Sequence, residues 1–220
     1  MAFSLASILS LLQQGADPER AQQMAAYMRD RFPFFGINKP ERKALTSQLL
    51  KGSRKIPVRQ LLDLVQELYG QPQRECHYLA IDLLERNYRR LSYEEFQFMY
   101  SLIDQNAWWD SVDALRKPMS LWVKEHKAYL DEVMGVLLAS ASFWQRRVAI
   151  TMQLLWKETT DTQWLERAIL ENRDDQEFFI QKAIGWALRD YSKTNPDWVR
   201  ALLQEHELSK LAVREGSKYV

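Results

Sequence analysis

Hydrophobic residues recur every three or four positions along most of this chain, which is the period of an amphipathic α-helix. One such run carries Leu61, Val65, Leu68 and Tyr69 on a single face. Short breaks rich in Pro, Gly or Asn, such as residues 70–72, separate each run from the next. The pattern therefore predicts an all-α protein.

The breaks separate about twelve helices of ordinary length, followed by a short thirteenth. The predicted helices span residues 3–14, 17–31, 39–51, 57–69, 73–89, 92–104, 110–124, 126–139, 143–157, 160–171, 175–191, 195–204 and 207–215. Taken in pairs, they give units of about 35 residues, close to the roughly 40–47 of HEAT-type repeats. We expect one domain over residues 1–220, an α-α superhelix (a HEAT-like solenoid) of about six helix pairs with a concave face.

Composition limits the compartment more than it limits the function. Hydrophobic residues make up 46% of the 220 positions, enough for a sizeable core. The single Cys76 excludes an intramolecular disulfide and fits a reducing cytoplasm. No apolar run is long enough to span a bilayer, and the apolar residues 1–12 lack the basic start of a signal peptide. We expect a cytoplasmic monomer with no membrane association and no obligate protein partner.

The charge balance does not by itself indicate a nucleic-acid-binding protein, because 30 basic and 29 acidic residues leave a net charge of +1. A basic surface would require sorting these charges onto one face. His77, His126 and His206 lie far apart, and no metal-ligand motif or glycine-rich phosphate loop surrounds them. We expect neither a metal nor a cofactor, and we interpret the adjacent Cys76 and His77 as structural.

The most informative segment is residues 108–113, with the sequence WWDSVD. Trp109 and Asp113 are four positions apart, so on a helix they share a face, and an indole beside a carboxylate is suited to holding a cation. A competing interpretation makes Asp110 the N-cap and Asp113 an acid at the third helical position, favoured by the helix dipole. The two interpretations are compatible, and we expect Trp108 to pack inward.

A second informative segment lies in the helix predicted over residues 175–191. Gly185 interrupts it just before Trp186, and an interior glycine costs about 1 kcal/mol relative to alanine. Either a neighbouring helix or a ligand therefore approaches the backbone there. Lys182 and Arg189 are seven positions apart and are candidates to contact phosphates along the face that carries Trp186.

Arg146 and Arg147 open another predicted helix, where positive charge opposes the helix dipole. Two explanations stay open. An external anion meets at least one of the two guanidinium groups, or both form salt bridges to a neighbouring helix.

These segments, taken together, resemble the AlkD-like bacterial DNA glycosylases of the DNA alkylation repair enzyme family. The resemblance covers nearly the whole chain and is carried by several blocks of sequence. The blocks are Ala25–Met28, Phe35–Ile37, Pro40–Arg42, Trp108–Asp113, Gln181–Trp186 and Tyr191–Asp197.

The resemblance implies a HEAT-like solenoid whose concave face cradles duplex DNA. It also implies release of cationic alkylated purines, chiefly 3-methyladenine and 7-methylguanine, in base excision repair. By matching position, Asp113 resembles the catalytic carboxylate, and Trp109 and Trp186 resemble the aromatic pair that contacts the deoxyribose of the lesion.

Two further roles follow from the same resemblance. Arg147 resembles the arginine near the active site, although the surrounding sequence departs slightly from the family pattern and a shift of register would place Arg146 there. Tyr27 resembles a residue that contacts DNA. The resemblance further implies that the damaged base stays stacked, whereas most glycosylases flip it out.

The chemistry agrees with a single carboxylate. Glycosidases use two, one of them as an acid for the leaving group, but an alkylated purine already carries positive charge and departs neutral. Asp113 would then stabilise the cationic sugar and orient water, with each indole adding roughly 0.5–2 kcal/mol. The alternatives are a non-catalytic HEAT-like protein that binds bent or branched DNA and a protein-binding solenoid.

Overall fold

The computed structural model describes residues 4–220, which form fourteen α-helices and a few short 3-10 segments, with no strand among these residues. The all-α prediction is confirmed. The helices are α1 (Leu5–Gln14), α2 (Pro18–Tyr27), α3 (Lys39–Leu45), α4 (Ser47–Gly52), α5 (Val58–Tyr69), α6 (Arg74–Asn87), α7 (Tyr93–Asp104), α8 (Trp109–Glu125), α9 (Leu130–Leu138), α10 (Phe143–Thr151), α11 (Thr162–Leu170), α12 (Phe178–Tyr191), α13 (Pro196–Glu205) and α14 (Lys210–Gly216). The predicted start of the first helix at residue 3 lies outside the described residues.

The chain divides into two compact units, one ending at Phe98 and the other spanning Met99–Val220. Helix α7 contains the boundary between them. A single continuous domain with a concave face therefore stays a prediction.

The core of the first unit forms where α5 packs against α6. Leu61, Val65 and Leu68 of α5 are fully buried, as are Leu79 and Leu83 of α6. The spacing that predicted these helices thus corresponds to their buried faces. Truncating one such leucine to alanine would lower the free energy of unfolding by about 2–5 kcal/mol.

A buried carboxylate organises the loop before α3. The Glu75 side chain accepts hydrogen bonds from the backbone N–H groups of Phe35 (3.0 Å), Gly36 (2.9 Å) and Ile37 (3.0 Å). Gly36 has a φ of +89°, and a Cβ there would lie 2.1 Å from the carbonyl oxygen of Asp17. Backbone geometry therefore explains the block Phe35–Ile37 of the family resemblance.

The next block of the resemblance, Pro40–Arg42, also has a structural explanation. The Asn38 side chain accepts from the Glu41 N–H at 3.0 Å, and the Glu41 carboxylate accepts from the Asn38 N–H at 3.4 Å, forming a capping box at the start of α3. Arg42 is buried and forms a 3.2 Å ion pair with Asp82 of α6. These residues tie α3 to the core of the first unit.

Cys76 and His77 are both fully buried in α6, which confirms their structural interpretation. Burial, reinforced by the neighbouring Glu75, raises the pKa of the Cys76 thiol to about 12. The His77 ring lies between the guanidinium of Arg74 (2.9 Å) and the carbonyl of Gln71 (2.8 Å).

Three predicted helices are shorter or divided in the structure. The helix predicted over 17–31 ends at Tyr27, and Arg29 and Asp30 beyond it have φ values of +58° and +54°.

The helix predicted over 39–51 breaks at Thr46, whose hydroxyl hydrogen-bonds a backbone carbonyl one turn earlier and competes with the helical pattern. The helix predicted over 143–157 ends at Thr151, because the chain enters a turn in which Leu155 has a φ of +67°. The hydrophobic spacing continues through the breaks at Thr46 and Thr151, so the periodicity alone could not predict them.

Helix α12 is central to the second unit and packs against α10 and α14. At Gly185, a Cβ would lie 2.5 Å from the Cβ of Glu215 and 3.1 Å from the carbonyl oxygen of Ala212. At Gly216 of α14, a Cβ would lie 2.9 Å from the Cβ of Leu188. Close helix packing therefore explains Gly185, and the alternative that a ligand approaches its backbone is not needed.

Candidate active site

The start of α8 positions the predicted tryptophan and aspartate pair. Trp108 occupies the N-cap position and Asp110 lies within the first turn, so the prediction that Asp110 caps the helix is wrong. Asp113 is the fifth residue of α8, beyond the positions where a carboxylate serves the exposed N–H groups. The alternative that Asp113 is an acid at the third helical position is therefore not supported.

Trp108 packs inward, as predicted, with 8% of its surface exposed. Its ring meets Trp144 and Phe179 edge to face, at centroid separations of 6.1 and 5.1 Å. These contacts join the start of α8 to the starts of α10 and α12. Trp109, the next residue, is half-buried instead.

Asp113 is held by Arg147 of α10. Nε of Arg147 donates to Oδ1 of Asp113 at 2.9 Å, and Nη2 donates to Oδ2 at 2.8 Å, in a bidentate geometry. Arg147 also donates to the carbonyl of Phe179, and its side chain is only 6% exposed, against 20% for Asp113. The carboxylate is therefore fixed in position while part of it remains accessible.

Arg146 points to a different set of partners. Its guanidinium donates to the carbonyls of Ser140 (2.8 Å) and Ala141 (2.9 Å) and to the side chain of Asn172 (2.9 Å), and it pairs with Asp175 at 2.7 Å. Both arginines therefore form salt bridges within the second unit, which supports that explanation of their position in α10. The structure brings Arg147, and not Arg146, to Asp113.

The two predicted tryptophans meet in one cavity of about 300 Å³. Both indoles are half-buried, and Arg147 lines the same cavity, so Asp113 adjoins it through its ion pair. The lining residues are Trp109, Arg147, Phe178, Phe179, Lys182, Trp186, Arg189 and Glu215. The arrangement places aromatic faces, cations and a carboxylate around a space open to a ligand.

Lys182 and Arg189 line this cavity, but both are paired with a carboxylate of the same chain. Glu215 of α14 accepts from Lys182 at 3.0 Å and from Arg189 at 2.9 Å. The hydrogen bond from Lys182, with support from Arg189, holds the pKa of Glu215 below its usual value. Sequence spacing aligned the two cations correctly but gave no sign of Glu215, which comes from a short helix at the end of the chain.

Arg116 is a further residue that sequence reasoning missed. It lies three positions after Asp113, and its guanidinium carbon is 5.9 Å from the centroid of the Trp186 ring. Burial lowers the pKa of Arg116, whereas the charges of Asp113 and Asp190 act to raise it. Its Nε atom is buried and finds no hydrogen-bond partner among the residues that the structure describes. Its position three residues after Asp113, on the same face of a predicted helix, was the one signal in the sequence that could have identified it.

Comparison with known proteins identifies the family. The sequence profile described as "DNA alkylation repair enzyme" matches residues 8–220. The chain belongs to this family.

Solved structures agree with this assignment to the DNA alkylation repair enzymes. A predicted DNA alkylation repair enzyme from Enterococcus faecalis is 48% identical, with a TM-score of 0.91 over 93% of this chain and 96% of the other. AlkD2 from Streptococcus mutans is 23% identical, with a TM-score of 0.65 over 79% and 87% of the two chains. The protein smu.31 from Streptococcus mutans UA159 is 21% identical, with a TM-score of 0.63 over 81% and 99%. No protein of curated function matches the sequence.

Tyr27, the other residue singled out by the family resemblance, lies in the first unit. It ends α2, and 73% of its surface is exposed. Its contact with DNA stays a prediction for this member of the DNA alkylation repair enzymes.

Two general features of the described residues complete the picture of this DNA alkylation repair enzyme. Within residues 4–220, no three His, Cys, Asp or Glu side chains are grouped so that they could hold a metal ion. No helix in that range is both long enough and apolar enough to cross a membrane.

Proposed function

We propose that this protein is a DNA glycosylase that hydrolyses the N-glycosidic bond of cationic alkylated purines, such as 3-methyladenine and 7-methylguanine, in duplex DNA. One observation carries the proposal. Trp109, Trp186 and Arg147 line one cavity, and Arg147 holds both oxygens of Asp113 beside it. Membership of the DNA alkylation repair enzymes supports alkylated DNA as the substrate class.

In the proposed reaction, the bond between C1′ of the deoxyribose and the purine nitrogen breaks, and its electron pair leaves with the base. The alkylated purine was cationic, so it departs neutral and needs no acid catalyst. Positive charge develops on the sugar, where Asp113 stabilises it. Water then adds to C1′ and its proton passes to solvent through the carboxylate, leaving the free base and an abasic site.

Arg147 positions the Asp113 carboxylate, although its own positive charge opposes the charge of that carboxylate. Its two hydrogen bonds set the direction of the Asp113 carboxylate before a substrate arrives, so little reorganisation is needed during the reaction. The guanidinium also offsets part of the negative field of the carboxylate. The indoles of Trp109 and Trp186 compensate, since each ring face stabilises a nearby cation by roughly 0.5–2 kcal/mol.

Phosphate contacts are expected to supply much of the affinity, which makes binding sensitive to salt. The first unit carries a cleft of about 520 Å³ whose lining includes five basic and two acidic residues. Lys43, Arg54 and Arg86 of this cleft are exposed and form no ion pair in the described part of the chain. These cations are suited to contacts with a phosphodiester backbone. A protein that grips backbone and sugar has no need to flip the base.

The second candidate function is DNA binding without catalysis. The observation that favours it is the pairing of both Asp113 oxygens with Arg147, which ties α8 to α10 and would serve a structural role equally well. On this view, the cavity holds a deoxyribose or a distorted backbone without breaking a bond.

Release of 7-methylguanine from methylated duplex DNA tests the proposal, with wild type compared with Asp113→Asn. We expect the substitution to slow release by about 100- to 1000-fold, the usual effect of removing one electrostatic group aimed at the transition state. Asp175→Asn is the matched control, because Asp175 is also an aspartate paired with an arginine of α10, at 2.7 Å. Equal rates for wild type and Asp113→Asn would refute the role of Asp113, and absence of release by wild type would favour the non-catalytic candidate.

A further inference from the structure

Arg116 lies on the same face of α8 as the tryptophan and aspartate of the candidate active site. Trp109, Asp113 and Arg116 follow one another at spacings of four and three residues, so their side chains form one stripe along the helix. The Arg116 guanidinium carbon also lies 5.9 Å from the centroid of the Trp186 ring on α12. Arg116 does not line the cavity itself, but it adjoins Trp186, which does.

The guanidinium of Arg116 has donors that no described residue accepts. Its Nε is buried without a hydrogen-bond partner, and the side chain forms no hydrogen bond or ion pair within residues 4–220. Leaving the buried donor of a charged group unpaired is costly, so such a group calls for an acceptor from outside the chain. Arg116 as a whole is half-buried, so a ligand can reach its terminal nitrogens.

The charges around Arg116 do not supply that acceptor. Two carboxylates raise its pKa, but burial lowers it by more, and the charge of Arg147 acts in the same direction as burial. Each carboxylate already has another partner. Both oxygens of Asp113 accept from Arg147. Oδ2 of Asp190 accepts from the Leu155 N–H at 2.7 Å. The two guanidinium groups and two carboxylates carry no net charge together, so the unused donors of Arg116 are what distinguish it.

A phosphate of the DNA backbone fits these donors. The planar guanidinium donates two parallel hydrogen bonds to phosphate oxygens. In the proposed function, Asp113 faces the deoxyribose of the damaged nucleotide, and a phosphate adjoins that sugar on each side. Three residues of helix advance about 4.5 Å, so Arg116 and Asp113 are spaced on the scale of a phosphate and its own sugar. A phosphate would also neutralise a cation that otherwise opposes positive charge on the sugar.

We propose that Arg116 binds one of the two phosphates that flank the nucleotide held between Trp109 and Trp186. Only the identity of that nucleotide as a damaged one rests on the proposed glycosylase function. The contact is to the backbone, so the base stays stacked. Lys182 and Arg189 already share the carboxylate of Glu215, whereas a phosphate that binds Arg116 has no hydrogen-bonded carboxylate to displace.

A chemically modified backbone tests the contact. Three duplexes carry the same stable abasic analogue, one unmodified and two with an uncharged methylphosphonate on its 5′ or its 3′ side. Wild type should bind one of the modified duplexes about tenfold more weakly than the unmodified duplex, the loss expected for one charge-assisted contact. Arg116→Met should bind the unmodified duplex about tenfold more weakly than wild type does, and the same methylphosphonate should cost it no further affinity.

Salt dependence gives a second readout. Loss of one phosphate contact should reduce the slope of log affinity against log salt by about 0.9 in Arg116→Met, whereas Arg116→Lys keeps the charge and should keep the slope. The Tm of Arg116→Met should not fall, because the guanidinium has no hydrogen bond to lose in the described part of the chain.

Arg167→Met is the matched control. The guanidinium of Arg167 also lies over a tryptophan ring of the second unit, that of Trp164, at 4.8 Å, but Arg167 pairs with Glu171 and is not among the residues that line the cavity. This variant should bind all three duplexes as wild type does. Unchanged affinity in Arg116→Met would overturn the phosphate contact. Weakening by the same factor for all three duplexes would also overturn it, because Arg116 would then act by holding Trp186.

These measurements need no catalysis, so they separate the phosphate contact from the glycosylase proposal. If wild type releases no alkylated purine but the methylphosphonate and Arg116→Met fail to add, the proposed function fails and the contact stands. If wild type releases purines and Arg116→Met binds every duplex normally, the contact fails and the proposed function stands.

Discussion

Two interior glycines should respond to alanine in opposite directions. Gly135 lies in α9, where an added Cβ meets no described atom within 4 Å. Gly185 lies in α12, where the same atom would be 2.5 Å from the Cβ of Glu215 and 3.1 Å from the carbonyl oxygen of Ala212. Gly135→Ala changes helix propensity alone, whereas Gly185→Ala also forces α14 away from α12.

The expected magnitudes follow from these distances. Gly135→Ala should stabilise the protein by about 1 kcal/mol, the usual difference in helix propensity. Gly185→Ala gains the same amount but adds an overpacking cost of about 1–3 kcal/mol, because backbone lies behind the contact and cannot rotate away. The net effect at Gly185 is a destabilisation of roughly 0–2 kcal/mol.

Thermal unfolding followed by circular dichroism measures both variants against wild type. For a chain of this length, a difference of about 1–3 kcal/mol between the variants corresponds to roughly 2–12 °C in Tm. A rise in Tm for Gly185→Ala as large as that for Gly135→Ala would refute the packing explanation of Gly185. It would also reopen the alternative that a ligand approaches this backbone.

The remaining predictions concern the cavity of the second unit. Trp109→Ala and Trp186→Ala should each slow single-turnover release of 7-methylguanine by roughly tenfold, more than they weaken binding to undamaged DNA, because an indole face acts on charge present in the transition state. Equal losses in both assays would contradict this. Glu215→Gln should tighten DNA binding at low salt and steepen its salt dependence, because Glu215 then no longer competes with phosphates for Lys182 and Arg189. An unchanged slope in a salt titration would oppose that. Because the folded pKa of Glu215 is lowered, its stabilisation is present above the unfolded pKa, near 4.5, and is lost as the pH falls through the folded value. The Tm difference between wild type and Glu215→Gln should therefore shrink between pH 7 and acidic pH, and a constant difference would contradict the assignment.

Periodicity predicted the helices well because buried faces repeat at the helical spacing, as they do along α5 and α6. It could not predict the break at Thr46, where one hydroxyl competes for a backbone carbonyl while the apolar spacing continues. The cap of α8 was misassigned for a related reason. Asp110 is a favourable N-cap residue, yet Trp108, which packs against Trp144 and Phe179, occupies the N-cap position, two residues earlier. Local preference decides where tertiary contacts do not.

The site was predictable where its members share a helix and unpredictable where they do not. Spacing alone placed Trp109 beside Asp113, and it aligned Lys182 with Arg189. The partners that define their chemistry, Arg147 and Glu215, come from other helices, and spacing within a helix says nothing about such contacts. The family resemblance supplied the first of these partners but not the second.

The charges that line the cavity do not by themselves favour a cationic substrate. Its lining carries three basic side chains and one carboxylate, and Asp113 adjoins it through Arg147. A free cationic purine would gain little in such a place. Duplex DNA changes the balance, because every nucleotide brings a phosphate that can meet Lys182 or Arg189 and leave the field of Asp113 directed at the sugar. Free 7-methyl-2′-deoxyguanosine should therefore be a far poorer substrate than the same nucleoside within a DNA duplex. Comparable values of kcat/KM for the two would show that Asp113 and the indoles act without the backbone contacts.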